Sequence, residues 1–234
     1  MALMCTRYIS PDDAAIERHW HIGARNQPQW QREVYPNYLG PFIRSIRATT
    51  EPSRELVVGQ WSLIPWFAKE RKLKYPTSNA RAEELQAKAS YKHPWARGQR
   101  CIIPADAYFE PCWETGKHVP WMFRRADGDP WGLAGLWNTW TDPTTGELVE
   151  SYTMLTLNAD DHPLMKRMHK PDPKRPLHMQ DKRSVVPVEA EDVDRWLNGS
   201  VFDAAKLVRV APVERFDAGP AEPPAASTRP APAR

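Results

Sequence analysis

Hydrophobic and polar positions along this chain alternate in short runs rather than in long helical stripes. Glu55 to Ile64, with Val57, Val58, Trp61 and Ile64 as its apolar content, predicts a strand. Cys101 to Ile103 and Ala107 to Trp113 read the same way. Pro120 to Arg124 and Trp131 to Trp140 form two more strands, joined by a turn around Asp127-Gly128. A second turn spans Asp142 to Gly146, and the next strand, Tyr152 to Leu157, sets Tyr152, Met154 and Thr156 on one face. Leu207 to Val213 is the last strand. Helical signals are brief. Ser10 caps a first helix, with Pro11 in its opening turn and Asp12 and Asp13 at the positive end of the dipole, running to about Trp20. Ala80 to Ser90 has good helix formers, Asp160 or Asp161 caps a short helix through Met168, and Glu189 to Asn198 is a helix closed by Gly199. Tyr35 to Phe42 is broken by Pro and Gly, and Pro65 to Thr77 is basic, so both read as loops.

Many strands with interspersed short helices predict a single α+β domain over residues 5–216. Its core is largely antiparallel and barrel-like, with short helices at the periphery. From Asp217 onward the chain is rich in Pro and Ala with little to bury, so 217–234 reads as a disordered tail.

Composition narrows the function classes. The chain has 234 residues with 41% hydrophobic content, enough for a sizeable core. No apolar run approaches the roughly 18 residues of a membrane helix, and no basic segment followed by an apolar stretch opens the chain. Three scattered cysteines do not form a disulfide framework and fit a reducing, cytoplasmic setting. Net charge is only +3, but cations cluster. One cluster is Lys69, Arg71, Lys72 and Lys74. Another is Lys166, Arg167, Lys170, Lys174 and Arg175, followed by Lys182 and Arg183. Such clusters are either solvated surface or a path for nucleic-acid phosphates. The 11 Trp divide between core anchors and stacking platforms in a way composition does not settle.

Four groups carry candidate chemistry, each open to two readings. Cys5 follows Met4. It is either a small buried hydrophobe or, after translation from Met4 and loss of that methionine, an N-terminal residue. In the second case an amine of pKa about 8 and a thiol of pKa about 8.5 share one residue. Asn79 is either a helix cap or a site residue. Glu110 sits in an apolar strand, where it either alternates outward or is held in a site with a raised pKa suited to acid–base work. His162 and His169 are surface histidines or one of them is functional. No CxxC or HExxH pattern favours a metal, and no cofactor is implied.

Taken together, the segments resemble the SOS response-associated peptidase (SRAP) family. The matching stretches are Met4-Cys5-Thr6-Arg7-Tyr8, Trp61-Ser62-Leu63-Ile64-Pro65-Trp66, Asn79-Ala80-Arg81-Ala82-Glu83, Arg100 through Glu110, Leu133-Ala134-Gly135-Leu136-Trp137, and His169 through Arg175-Pro176. They come in the family's order over about residues 4–215. The resemblance implies binding of single-stranded DNA and a covalent link to abasic sites. It implies that Cys5 is the N-terminal nucleophile, Asn79 its positioning partner, Glu110 the catalytic glutamate and His169 the histidine, with His162 as the rival. It implies DNA-backbone contacts at Arg81, Arg7 and Arg175, and an aromatic wedge at Trp66 or Phe67. Thr6 and Ser62 stand where the family usually has Gly, Pro111-Cys112 replaces a common Trp, and Lys170 to Lys174 are extra.

In the implied chemistry the Cys5 amine forms a Schiff base with the ring-opened sugar, and the thiol closes a thiazolidine. Autoproteolytic exposure of Cys5 and strand-cleaving lyase activity accompany it. The expected partners are abasic single-stranded DNA and the replication machinery, with a monomer associating with the nucleoid when on DNA. Residues 1–4 read as a leader or an over-extended start. Two rivals remain open: a thiol peptidase acting on other proteins, and a non-catalytic DNA-binding module.

Overall fold

The computed structural model describes residues 5–22, 28–46 and 53–221. The expected leader, residues 1–4, and residues 222–234 of the expected tail lie outside them. In chain order the described strands are β1 (Tyr8–Ile9), β2 (Glu33–Val34), β3 (Leu39–Ser45), β4 (Arg54–Trp61), β5 (Asn79–Arg81) and β6 (Arg100–Ala105). They continue with β7 (Ala107–Cys112), β8 (Val119–Arg125), β9 (Trp131–Thr141), β10 (Leu148–Asn158), β11 (Arg183–Val185) and β12 (Phe216–Pro220). The helices α1 (Asp13–Trp20), α2 (Ala89–Ala96), α3 (Val193–Asn198) and α4 (Val201–Ala205) are short and peripheral, as the pattern predicts.

Strands β3, β4, β10, β9 and β6 pair in a closed ring, a five-stranded barrel. Closure leaves these strands few free edges. The ring is antiparallel except where β4 meets β10, at Gln60↔Ser151 and Trp61↔Tyr152. Strand β5 adds to β10 in parallel and β11 adds antiparallel. The second sheet, β12-β8-β7-β1-β2, is antiparallel throughout. Between sheet and barrel lies a core containing Tyr8, Phe42, Trp61, Tyr108, Phe123, Trp131 and Tyr152. The other flank of the barrel is covered by the helices through Ile16, Trp20, Trp95 and Trp196. Trp61, Trp131 and Trp196 are fully buried. Each removes roughly 200 Å² from water, about 5 kcal/mol before entropy. Trp66, by contrast, is 64% exposed.

Several local expectations are corrected. Asp12, not Ser10, caps α1, accepting from the Ala15 amide; both types cap well, and the Ser10 hydroxyl is spent on the Pro11 carbonyl. The segment expected as a loop over Tyr35 to Phe42 enters β3 at Leu39. Pro41 is tolerated because β6 joins β3 only at Ile43, leaving that edge free of ladder bonds. Gly40 is required there, since a Cβ would come within 2.3 Å of the Tyr152 hydroxyl and 2.4 Å of the Tyr8 hydroxyl. Ala80 to Ser90 is not one helix. Pairing with β10 draws Asn79–Arg81 into β5, and helix α2 starts only at Ala89. The Asp127-Gly128 turn forms, with Gly128 at φ 84, but it links strands of different sheets. Leu207 to Val213 is not a strand. The last strand among the described residues is β12, which pairs with β8 and extends to Pro220, into the segment expected to be disordered.

Candidate functional site

Four chain segments, β7 among them, converge. Strand β1 pairs with β7 at Tyr8↔Tyr108, and the Phe109 amide donates to the Arg7 carbonyl, which brings Cys5 alongside Glu110. The end of β7 bridges to the segment after β10, Cys112↔Met168, and the His169 amide donates to the Pro111 carbonyl at 2.7 Å. Strand β5 delivers Asn79, with the Trp61 indole donating to the Ser78 carbonyl just before it.

The side chains meet accordingly. Glu110 and His169 are both buried, and His169 Nε2 lies 2.9 Å from Glu110 Oε2. The ring N–H donates and the carboxylate oxygen accepts in this bond, which directs the Nε2 edge of the ring at Glu110 and turns Nδ1 away from it. Nδ1 is itself buried and has no partner among the described residues. Asn79 Nδ2 donates to the Cys5 carbonyl at 2.8 Å. Cys5 is fully buried. Burial first, and then the charge of Glu110, push its thiol well above the ordinary range, partly opposed by the backbone of Arg7 and Phe109. The sulfur is therefore a protonated thiol at neutral pH, and an adjacent base must take its proton before it reacts.

The structure thus brings Cys5, Asn79, Glu110 and His169 together. Of the two readings of Glu110, the inward one holds: it shares the face of Tyr108 and Cys112, both core residues. Of the two histidines, His162 has another occupation. Its Nδ1 accepts from the Leu164 and Met165 amides, at 3.3 and 3.2 Å, and its Nε2 reaches the Ala211 carbonyl at 3.0 Å. It caps the turn that Asp160 or Asp161 was expected to cap. Asp160 instead accepts from the amides of Asp181 and Lys182.

Outside this buried group, the basic and aromatic candidates are a rim only in being at least partly exposed. Trp66 and Phe67 are exposed and meet edge to face, ring centres 5.7 Å apart. A cavity of about 210 Å³ lined by Arg71, Lys72, Lys74, Tyr75, Gln60 and Ser78, among others, runs from this loop to the residue before Asn79. Arg81 and Arg175 come together on Asp181, at 2.6 and 3.7 Å. Arg7 is occupied differently, paired with Glu33 and stacked on the Phe109 ring at 3.9 Å.

Sequence reasoning missed Asp181, Lys182 and Arg183 as organisers. Arg183 is buried, bonded to Glu83, Asp181 and the Thr156 carbonyl. Lys182 is buried with its ammonium on the carbonyls of Met168 and His169. Their charge was visible, but nothing in the chain distinguished it from solvated surface.

Comparison with known proteins gives the chain a family and relatives. The family described as SOS response associated peptidase (SRAP) matches residues 4–222. The abasic site processing protein YoqW of Bacillus subtilis is 31% identical over 171 residues, covering 71% of this chain and 68% of that protein. The abasic site processing protein HMCES of Gallus gallus is 30% identical over 172 residues, 59% of this chain, and the match spans only 51% of the chicken protein. A protein of known crystal structure from Bordetella bronchiseptica superposes with a TM-score of 0.80 at 36% identity, over 93% of this chain and 100% of that one.

Proposed function

The chain belongs to the SOS response associated peptidase (SRAP) family, and from that premise we propose that it processes abasic sites in damaged DNA, capturing them covalently in single strands through Cys5. The observation that carries this reading is the buried Glu110–His169 hydrogen bond beside the Cys5 thiol.

The chemistry begins once residues ahead of Cys5 are gone and its nitrogen is a free amine. That amine attacks the aldehyde of the ring-opened deoxyribose; the aldehyde oxygen leaves as water and an imine forms. The Cys5 S–H then adds across the C=N bond, sulfur to carbon and hydrogen to nitrogen, closing a thiazolidine. Both nucleophiles sit on one residue, so closure is intramolecular. Glu110 relays the protons, first to the departing oxygen and then from sulfur to nitrogen. His169 Nδ1 serves ring opening of the sugar. Asn79 fixes the Cys5 carbonyl and with it the direction of the amine. The same carboxylate serves autoproteolytic exposure of Cys5, and β-elimination from the imine is a side path that ring closure suppresses. Trp66 and Phe67 stack on bases, while Arg81, Arg175 and Arg7 hold phosphates without reading sequence.

The test is to mix protein beginning at Cys5 with single-stranded DNA carrying an abasic site. An adduct that survives denaturing electrophoresis is expected. Salt-sensitive binding with no adduct leaves the protein a binding module and ends the capture reading.

A further inference from the structure

His169 occupies an uncommon backbone conformation, φ 59, in the left-handed region that a residue with a side chain keeps only when its surroundings hold it. Its amide is tied to the Pro111 carbonyl. Its own carbonyl is tied by Lys182, whose Nζ donates to His169 O at 2.6 Å and also to Met168 O. Lys182 is only 6% exposed, unusual for a lysine whose ammonium rests on carbonyls rather than a carboxylate. Burial lowers the basicity of this ammonium, partly offset by the charge of Asp160. The backbone from which it reaches is fixed as well: Asp160 accepts from the amides of Asp181 and Lys182, and the Lys182 carbonyl accepts from the Ala159 amide at 2.7 Å. A buried cation on a fixed backbone thus spans to the peptide units on either side of the His169 Cα.

We propose that Lys182 is a positioning residue for His169, holding its backbone in the left-handed conformation that delivers Nε2 to Glu110. Its value for capture rests on the reading above that this pair acts on the abasic sugar; its effect on His169 does not.

The test uses the full chain with nitrogen-labelled histidine. In the wild type the His169 ring should show one tautomer, protonated at Nε2. Lys182→Met keeps most of the side chain's bulk and removes the donor. That signature should give way to a tautomer mixture, and adduct formation on abasic single-stranded DNA should slow by roughly ten- to a hundredfold, as expected for a displaced reacting group. Lys182→Arg, which keeps N–H donors, should restore both in part. An unchanged ring signature in folded Lys182→Met overturns the proposal, as does an unchanged capture rate where the wild type captures. Should Lys182→Met not fold, Asp160→Ala, which slackens the same backbone, must shift the signature the same way to a lesser degree, and its failure to do so is equally decisive. If the wild type forms no adduct at all, the capture reading fails and the ring signature alone decides the role of Lys182.

Discussion

Glu110 and His169 are almost wholly shielded and tied to each other and to β7, whereas Trp66 and Phe67 stand out from a loop without regular structure. The first pair sits where the second sheet meets the segment following β10, and its hydrogen bonds are made before any ligand arrives. The second pair has little to lose from the fold and much surface to offer a base. The contrast assigns different work to each. On the function proposed above, the preorganised floor acts on the rate of the covalent step, while the rim sets how tightly and at what salt the strand is held.

The largest expected effect tests the floor. In protein beginning at Cys5, Cys5→Ala should abolish the denaturation-resistant adduct while leaving salt-sensitive binding, as seen by gel electrophoresis and by fluorescence anisotropy of labelled single-stranded DNA. Loss of both together breaks the division of labour. Next is Glu110→Gln, which keeps the shape and removes the proton relay. Capture should slow by about 10²- to 10⁴-fold, the range for a general acid–base group, with affinity unchanged. Single-turnover kinetics at saturating DNA read the two apart.

The rim responds differently. Trp66→Ala combined with Phe67→Ala should weaken binding by about 1–3 kcal/mol for each base that loses its platform. The melting temperature should hold, because both side chains are exposed. At saturating DNA the capture rate should recover, and a rate that stays low would move these aromatics into the floor. Arg81→Ala, freeing its half of the Asp181 cluster, should lower the salt dependence of log affinity by about one unit. That measurement is a titration series across ionic strength.

How far the sequence could be read differs between the same two regions. The α+β class, the barrel-like antiparallel core and the short outer helices follow from the spacing of apolar runs, because a half-buried strand writes its period into the chain. Glu110 was ambiguous because β7 is apolar on both faces, so alternation carries no direction there. Asn79 was drawn toward a helical reading by its neighbours' propensity, and only pairing with β10 makes it a strand residue. Lys182 and Asp181 were hidden for another reason. Their partners are the carbonyls of Met168 and His169 and the arginines Arg81, Arg175 and Arg183, gathered from separate segments around a loop that Gln180 holds closed through bonds to Asp172, Arg175 and Pro176. Long-range contacts of that kind leave no periodic trace. The rim's basic residues were legible as charge, and their arrangement was not.

His162 gives the smallest and most discriminating effect, because it belongs to neither region. Its ring is half-buried, and burial holds its pKa below the ordinary value, with the bond to Ala211 opposing. The folded state therefore keeps His162 neutral at a pH where the unfolded chain already binds a proton. Its contribution to stability is fully present above about pH 6.5 and is lost as pH falls from there through the folded-state pKa. His162→Asn retains a side-chain acceptor for the Leu164 and Met165 amides and gives up the contact with Ala211. It should cost about 1 kcal/mol at neutral pH and flatten the acid limb of the stability profile, measured by urea unfolding across pH. Capture rate and DNA affinity should both stay at wild-type values. A slowed capture in a folded His162→Asn protein would mean that the floor extends through this turn, and the assignment of the working histidine to position 169 would have to be reopened.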